Sequence, residues 1–157
     1  MDKRIAMLRT ALNEALKTAM LAKEARTVST VRLILAALKD RDIAARSKGN
    51  MDGISEDEIL GMLQSMIKQR KDSIALYEQG GRLELAQQEQ EEIAVIERFL
   101  PKQMSQDEAE AAIKSVIGEI EAKGLKDMGR TMAALKERYA GQMDFTKASG
   151  LVKGLLS

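Results

Sequence analysis

The chain of 157 residues contains no cysteine, no histidine and no tryptophan. Without cysteine there is no disulfide, no thiolate nucleophile and no thiolate-ligated zinc or iron–sulfur centre. Without histidine there is no imidazole base, which excludes Ser-His-Asp and Cys-His sites. A metal would have to be held by carboxylates alone, which suits Mg²⁺ or Ca²⁺ rather than zinc. No metal, cofactor or catalytic residue is expected. The only aromatic residues are two tyrosines and two phenylalanines, too few to build ring platforms for single-stranded bases. Apolar runs are short, such as Leu33 to Leu38, against the roughly 20 residues of a membrane span. The N-terminal segment lacks the apolar core of a signal peptide; it is basic and amphipathic, faintly like a transit peptide, but its pattern continues into a full helix. No membrane partner is expected, and absent cysteine with absent targeting predicts a cytoplasmic protein.

What is present is 45% hydrophobic and 31% charged, enough apolar content for a core. Ala, Leu, Met, Glu, Lys, Gln and Arg dominate, and these are the strongest helix formers. Nothing alternates with period two over a useful length, so the chain is expected to be all-α. The net charge of +1 hides a segregation. Residues 1–50 carry 11 basic and 5 acidic side chains, residues 51–100 carry 5 and 11, and residues 101–157 carry 9 and 8. Either the first half packs against the second and neutralises it, or a basic face is held out for phosphates.

Ile5, Leu8, Leu12, Leu16, Ala19 and Met20 share one helical face and predict a helix over about 3–25. Thr27 to Ser29 offers a cap for a second helix reaching about Arg46, with Val31, Ile34, Leu35 and Leu38 inward. Lys48 to Gly53 is a polar loop. Ser55 with Glu58 forms a capping box, flanked by Ile54 and Ile59 as a hydrophobic staple. The stripe continues through Leu63, Met66, Ile67, Ile74 and Tyr77 until Gly80-Gly81 breaks it. A fourth helix over about 82–99 turns Leu83, Leu85, Ala86, Ile93, Val95, Ile96 and Phe99 inward, while Gln87 to Glu92 reads as a solvated run.

Leu100 before Pro101 cannot comfortably stay helical, which sets the main boundary. The expected architecture is an N-terminal helical bundle of about four helices over 1–100 and a small C-terminal three-helix domain over 101–157. In that tail, Ser105 with Glu108 repeats the capping box, and Ala109, Ala112, Ile113, Val116, Ile117 and Ile120 follow. Lys123-Gly124-Leu125 predicts a Schellman ending with Gly124 at C′. Asp127 caps a short helix bearing Met128, Met132, Leu135 and Tyr139, which Gly141 ends. Asp144 caps the last helix, with Ala148, Leu151, Val152, Leu155 and Leu156 inward.

No phosphate loop, dinucleotide fingerprint or nucleophile elbow is present. Glu89, Glu92 and Glu97 would need burial to do acid–base work, and a solvated face is the plainer reading. Met62, Met66, Met128, Met132 and Met143 could line a groove for a partner helix, but Met66 and Met132 fall on the inward stripe, which favours core filling. Two basic constellations remain. Lys68, Arg70 and Lys71 lie on the third helix, followed by Arg82 after the glycine pair. Lys123, Lys126, Arg130 and Lys136 surround two short helix ends, where backbone N–H groups can add to phosphate binding. The candidate nucleic-acid contacts are Lys68, Arg70, Lys71, Arg82, Lys126 and Arg130, reading backbone and shape rather than bases. A solvated basic surface is the alternative for both clusters.

Several segments resemble the GatB/YqeY family. They are Val31-Arg32-Leu33-Ile34-Leu35-Ala36-Ala37-Leu38-Lys39, Lys68-Gln69-Arg70-Lys71-Asp72-Ser73-Ile74, and Gly80-Gly81-Arg82-Leu83-Glu84-Leu85-Ala86 with Glu89. Phe99-Leu100-Pro101-Lys102-Gln103-Met104-Ser105 and Met128-Gly129-Arg130-Thr131-Met132 with Gly141 complete the set, in the family's order and across nearly the whole chain. The resemblance implies a helical bundle joined to a three-helix domain, similar to the tail of the B subunit of the tRNA-dependent amidotransferase. That enzyme converts Glu or Asp mischarged on tRNA to Gln or Asn, using glutamine and ATP, and the family label carries carbon–nitrogen ligase activity with glutamine as amido-N-donor. This chain resembles the tail only, without the catalytic cradle or the Ser-Lys amidase partner. Asp144-Phe145-Thr146-Lys147 also departs from the family's smaller turn. The resemblance therefore implies a tRNA-binding accessory module of translation, with tRNA and amidotransferase or other translation components as partners. The alternative is an adaptor docking a partner helix on the C-terminal part. A monomer is expected.

Overall fold

Two serines start two helices in the same way. The Oγ atoms of Ser55 and Ser105 accept from the amides of Glu58 and Glu108 at 3.2 and 3.1 Å. Each glutamate accepts in return from its serine's amide, at 3.2 and 2.9 Å. Each reciprocal pair satisfies amides that a helix start leaves without partners. The bond holds the Glu108 carboxyl below its ordinary range. Asp144 caps another helix alone, accepting from the Thr146 and Lys147 amides at 2.9 and 3.3 Å.

The computed structural model describes residues 3–157, with side chains from residue 7 onward. Among them are seven α-helices and no strand: α1 (Lys3–Ala22), α2 (Ala25–Ser47), α3 (Glu56–Gln79), α4 (Leu83–Glu97), α5 (Gln106–Glu119), α6 (Met128–Tyr139) and α7 (Phe145–Leu156). A 3₁₀ turn, Leu125–Asp127, precedes α6. The chain divides into two units, Met1–Leu100 with α1 to α4 and Pro101–Ser157 with α5 to α7.

Four helices end with the same pair of backbone bonds. After α3, the Arg82 amide donates to the Tyr77 carbonyl at 2.8 Å and the Gly81 amide to Glu78 at 3.1 Å, a Schellman closure with Gly81 at φ +72°. α2 closes alike on Gly49, at φ +95°. The ends of α1 and α5 place Lys23 (φ 59°) and Glu121 (φ 55°) in this left-handed conformation, which costs a side-chain-bearing residue about 1–2 kcal/mol. The ending expected at Gly124 therefore falls three residues earlier. There the Ala122 amide reaches the Ile117 carbonyl at 3.0 Å, and half-buried Ile120 and Ala122 pack against the second core. Gly124 is extended, and Leu125 is exposed.

The first core is built from Leu8 and Leu12 of α1, Val31, Ile34 and Leu38 of α2, Ile59, Met62, Leu63, Met66 and Ile67 of α3, and Ile93, Val95 and Ile96 of α4. The staple pair Ile54 and Ile59 is buried within it. The second contains Ala112, Ile113 and Val116 of α5, Leu135 of α6, Met143, and Ala148, Val152 and Leu156 of α7. Burial of such side chains contributes about 1.5–3 kcal/mol each. An Arg138–Glu119 ion pair links α6 to α5. Within the second unit, Gln103 Nε2 donates to the Gly141 carbonyl at 2.6 Å and the Met104 amide to Gln142 at 2.9 Å.

Some expected placements change. Met20, Leu83 and Leu155 are exposed, each within two residues of a helix end. α2 starts before Thr27, with no side-chain cap; Thr30 Oγ1 instead donates back to the Arg26 carbonyl at 2.8 Å. Asp127 precedes α6 but does not cap it. Ile5 lies outside the described side chains. Met62 and Met143 are buried, and Met128 and Met132 pack against the second core, so methionine here fills space rather than lining a groove.

Candidate nucleic-acid interface

Lys68 and Lys71 lie exposed on α3, three residues apart along one edge. Neither forms an ion pair among the described residues. Arg70 does not join them. Two residues beyond Lys68, it is rotated about 200° around the helix, towards α4. Its Nε lies 2.9 Å from Glu92 Oε2 and 4.0 Å from Glu89 Oε2, and its Nη1 donates to the Met66 carbonyl at 3.1 Å. Only 13% of its side chain and 16% of Glu92 remain exposed. Arg70 is thus corrected from a phosphate contact to an internal ion-pair partner. Arg82 is exposed, but its Nε meets Glu84 at 3.2 Å; a backbone hydrogen bond first, and Arg82 second, hold the Glu84 carboxyl below its ordinary value.

The Arg70 contacts extend to α2. Arg26 Nε lies 3.2 Å from Glu91 Oε2, and its Nη1 lies 3.9 Å from Glu92 Oε1. Two guanidinium groups therefore serve three carboxylates and tie α2, α3 and α4 together. The run Gln87 to Glu92 is not solvated throughout, because Glu89 and Glu92 turn inward. Burial, and then the neighbouring Glu92 charge, push the Glu89 carboxyl above its ordinary value, with Arg70 and Arg26 opposing. The first half of unit one does partly neutralise the second.

A second linkage also escaped the sequence reading. Buried Asp42 accepts from Arg9 Nη2 at 2.7 Å and from the Ile54 amide at 2.9 Å, and Arg9 Nη2 also donates to the Ile54 carbonyl at 3.0 Å. This anchors the loop between α2 and α3. Gly53 lies there at φ +84°, and a Cβ on it would collide with the Asp42 carboxylate. The available signal was a lone aspartate on the inward side of a helix, one turn past Leu38.

In the second unit, Lys126 stands exposed in the 3₁₀ turn, and Arg130 lies in the first turn of α6. Arg130 donates from Nη1 to the Ile120 carbonyl at 2.9 Å and from Nη2 to Asp127 Oδ1 at 3.2 Å. Asp127 Oδ2 accepts from the Lys123 amide at 2.9 Å. That bond first, and Arg130 second, hold the Asp127 carboxyl below its ordinary value. Arg130 is therefore braced while 54% of its side chain stays exposed. The arrangement presents cations around a helix start.

The class that the described residues define is an all-helical protein presenting surface cations. Residues 9–156 match the YqeY-like protein family, and the chain belongs to that family. Relatives include proteins named altered inheritance of mitochondria protein 41, mitochondrial. The Kluyveromyces lactis protein is 31% identical, over 70% of this chain and 58% of its own length. The Meyerozyma guilliermondii protein is 40% identical over 57% and 44%, and that of Saccharomyces cerevisiae strain YJM789 is 29% identical over 74% and 71%. The chain spans about half the length of the first relatives it matches. Their mitochondrial names overturn the cytoplasmic expectation. A cysteine-free chain makes no demand on redox compartment, so composition never discriminated between the two. No described helix is long and apolar enough to cross a membrane.

Proposed function

We propose that this chain is a tRNA-binding accessory module related to the tail of the amidotransferase B subunit, acting without a catalytic site of its own. The observation that carries the reading is the exposed pair Lys126 and Arg130 at the start of α6, with Arg130 braced by Ile120 and Asp127 while 54% of its side chain stays exposed. Lys68, Lys71 and Arg82 are the contacts in the first unit. Each would meet phosphate oxygens, contacts that fix register without carrying sequence information. The two units are taken as the two domains, four helices over 1–100 and three over 101–157. In a gel-shift titration at low salt, the full chain binds folded tRNA more tightly than an unstructured strand. Lys126→Ala with Arg130→Ala weakens binding and lowers the log–log salt slope by about two. Equal binding to both nucleic acids would end this reading.

A second reading, an adaptor for a partner helix, rests on exposed Leu125 and Leu155 in the second unit. A pull-down recovering protein but no RNA would favour it.

A further inference from the structure

The outward face of α2 carries Arg32, Ala36, Lys39, Ile43 and Arg46, all exposed, while Val31, Ile34 and Leu38 on its other side enter the core. Arg32, Lys39 and Arg46 are seven residues apart. Seven residues return a helix to nearly the same angle, with a drift of about 20°. Each step advances about 10 Å, so the three cations form a straight row about 21 Å long. The side chains of Arg32 and Lys39 have no ion pair or hydrogen bond among the described residues. Arg46 donates its Nε to the Met51 carbonyl at 3.3 Å. At the Arg32 end the row opens into a shallow notch of about 470 Å³ lined by Met20, Lys23, Val28 and Arg32.

The surrounding charge reinforces the row. Of the two acids on α2, Asp40 is exposed, whereas Asp42 is consumed by Arg9 and the Ile54 amide. The acid excess of the first unit lies in residues 51–100, and Glu89, Glu91 and Glu92 are already engaged by Arg26 and Arg70. Lys68 and Lys71 stand within that acidic half; the α2 row does not.

We infer that α2 is an RNA-contacting face whose cation row tracks a phosphate backbone. The inference rests on the tRNA reading and adds to it a surface outside the basic clusters named above. A row about 21 Å long exceeds the span of one small anion, so a ligand that engages all three cations carries repeated charge. Ala36 and Ile43 lie singly between the cations and Leu33 is exposed beside Arg32, so the regular seven-residue spacing on this face belongs to the cations rather than to apolar anchors of the kind a partner helix uses.

The test is a fluorescence-anisotropy titration of bulk deacylated tRNA with the full chain, across a salt series. Its variants are Arg32→Glu with Lys39→Glu, and Lys68→Ala with Lys71→Ala. The α2 double variant should bind at least about tenfold more weakly at low salt, with the salt slope reduced by about two, and the α3 pair should change affinity less. Protection of Lys39 from an acetylating reagent by bound tRNA, read by mass spectrometry on the unmodified chain, gives the same answer without a mutation. Wild-type binding with an unaffected α2 variant and an unprotected Lys39 would overturn the α2 assignment and leave the tRNA reading standing. No wild-type binding to tRNA would overturn both. A polyglutamate peptide bound more tightly than tRNA would place an acidic protein on this face and overturn the inference.

Discussion

Arg70 Nε lies 2.9 Å from Glu92 Oε2, and that contact turns the middle cation of Lys68-Gln69-Arg70-Lys71 into a strut between α3 and α4. Removing one partner of a largely buried pair strands the other. Arg70→Ala should therefore lower the stability of the first unit by about 2–3 kcal/mol in urea denaturation, while tRNA affinity measured well below the melting range stays within about twofold. Lost binding with unchanged stability would return Arg70 to the surface.

The helix closures supply a matched pair of experiments. Lys23 and Glu121 occupy the conformation that Gly81 occupies after α3. Lys23→Gly and Glu121→Gly should each stabilise by about 0.5–1 kcal/mol, and Gly81→Ala should destabilise by about 1 kcal/mol. Open space surrounds the position of a Cβ at Gly81, so the effect there is backbone strain alone. Equal responses at all three positions in chemical denaturation would contradict the assignment.

Gly53 differs from Gly81, because a side chain there meets the Asp42 carboxylate. Gly53→Ala should cost about 2–4 kcal/mol, through strain and through disruption of the Asp42–Ile54 and Asp42–Arg9 bonds. Asp42→Ala should be less sensitive to adding Gly53→Ala than the unmodified chain is. A double-mutant cycle reads that coupling, and full additivity would show the two residues to be independent.

Two carboxylates with opposite shifts give opposite pH dependences. Glu89 is raised in the fold, so its charged form opposes folding above the ordinary glutamate range and the opposition disappears in acid. Glu89→Gln should raise the melting temperature at pH near 7, with the gain gone by about pH 4. Asp127 is lowered, so its contribution is complete at neutral pH and fades as pH falls through the acidic carboxylate range. Asp127→Ala should be less stable than wild type at neutral pH, with the gap narrowing below about pH 4. Thermal melts across that range check both signs.

The helix starts at Ser55, Ser105 and Asp144 were legible because a cap is a local pattern whose partners lie two or three residues away. The inward stripes of α2 and α3 were legible through their spacing. The fate of individual charges was not. Arg70 pairs across 22 positions with Glu92, and Arg26 across 65 with Glu91. No local rule separates a cation turned towards a neighbouring helix from one left in water. Schellman closures on Lys23 and Glu121 were hidden for a related reason, since glycine is the usual signal and Gly124 stood nearby. The row of Arg32, Lys39 and Arg46 emerges only once Val31, Ile34 and Leu38 are seen to enter the core, which fixes the opposite side of α2 as its outward face.

The central proposal is that this helical frame grips folded RNA through phosphate contacts and performs no chemistry on it. Its most direct test is one salt series on the full chain, comparing folded tRNA with an unstructured RNA strand of equal length. The account predicts tighter binding to the folded molecule, with affinity falling linearly in log–log form as salt rises. Identical affinities for the two RNAs, or an affinity that does not respond to salt, would contradict it.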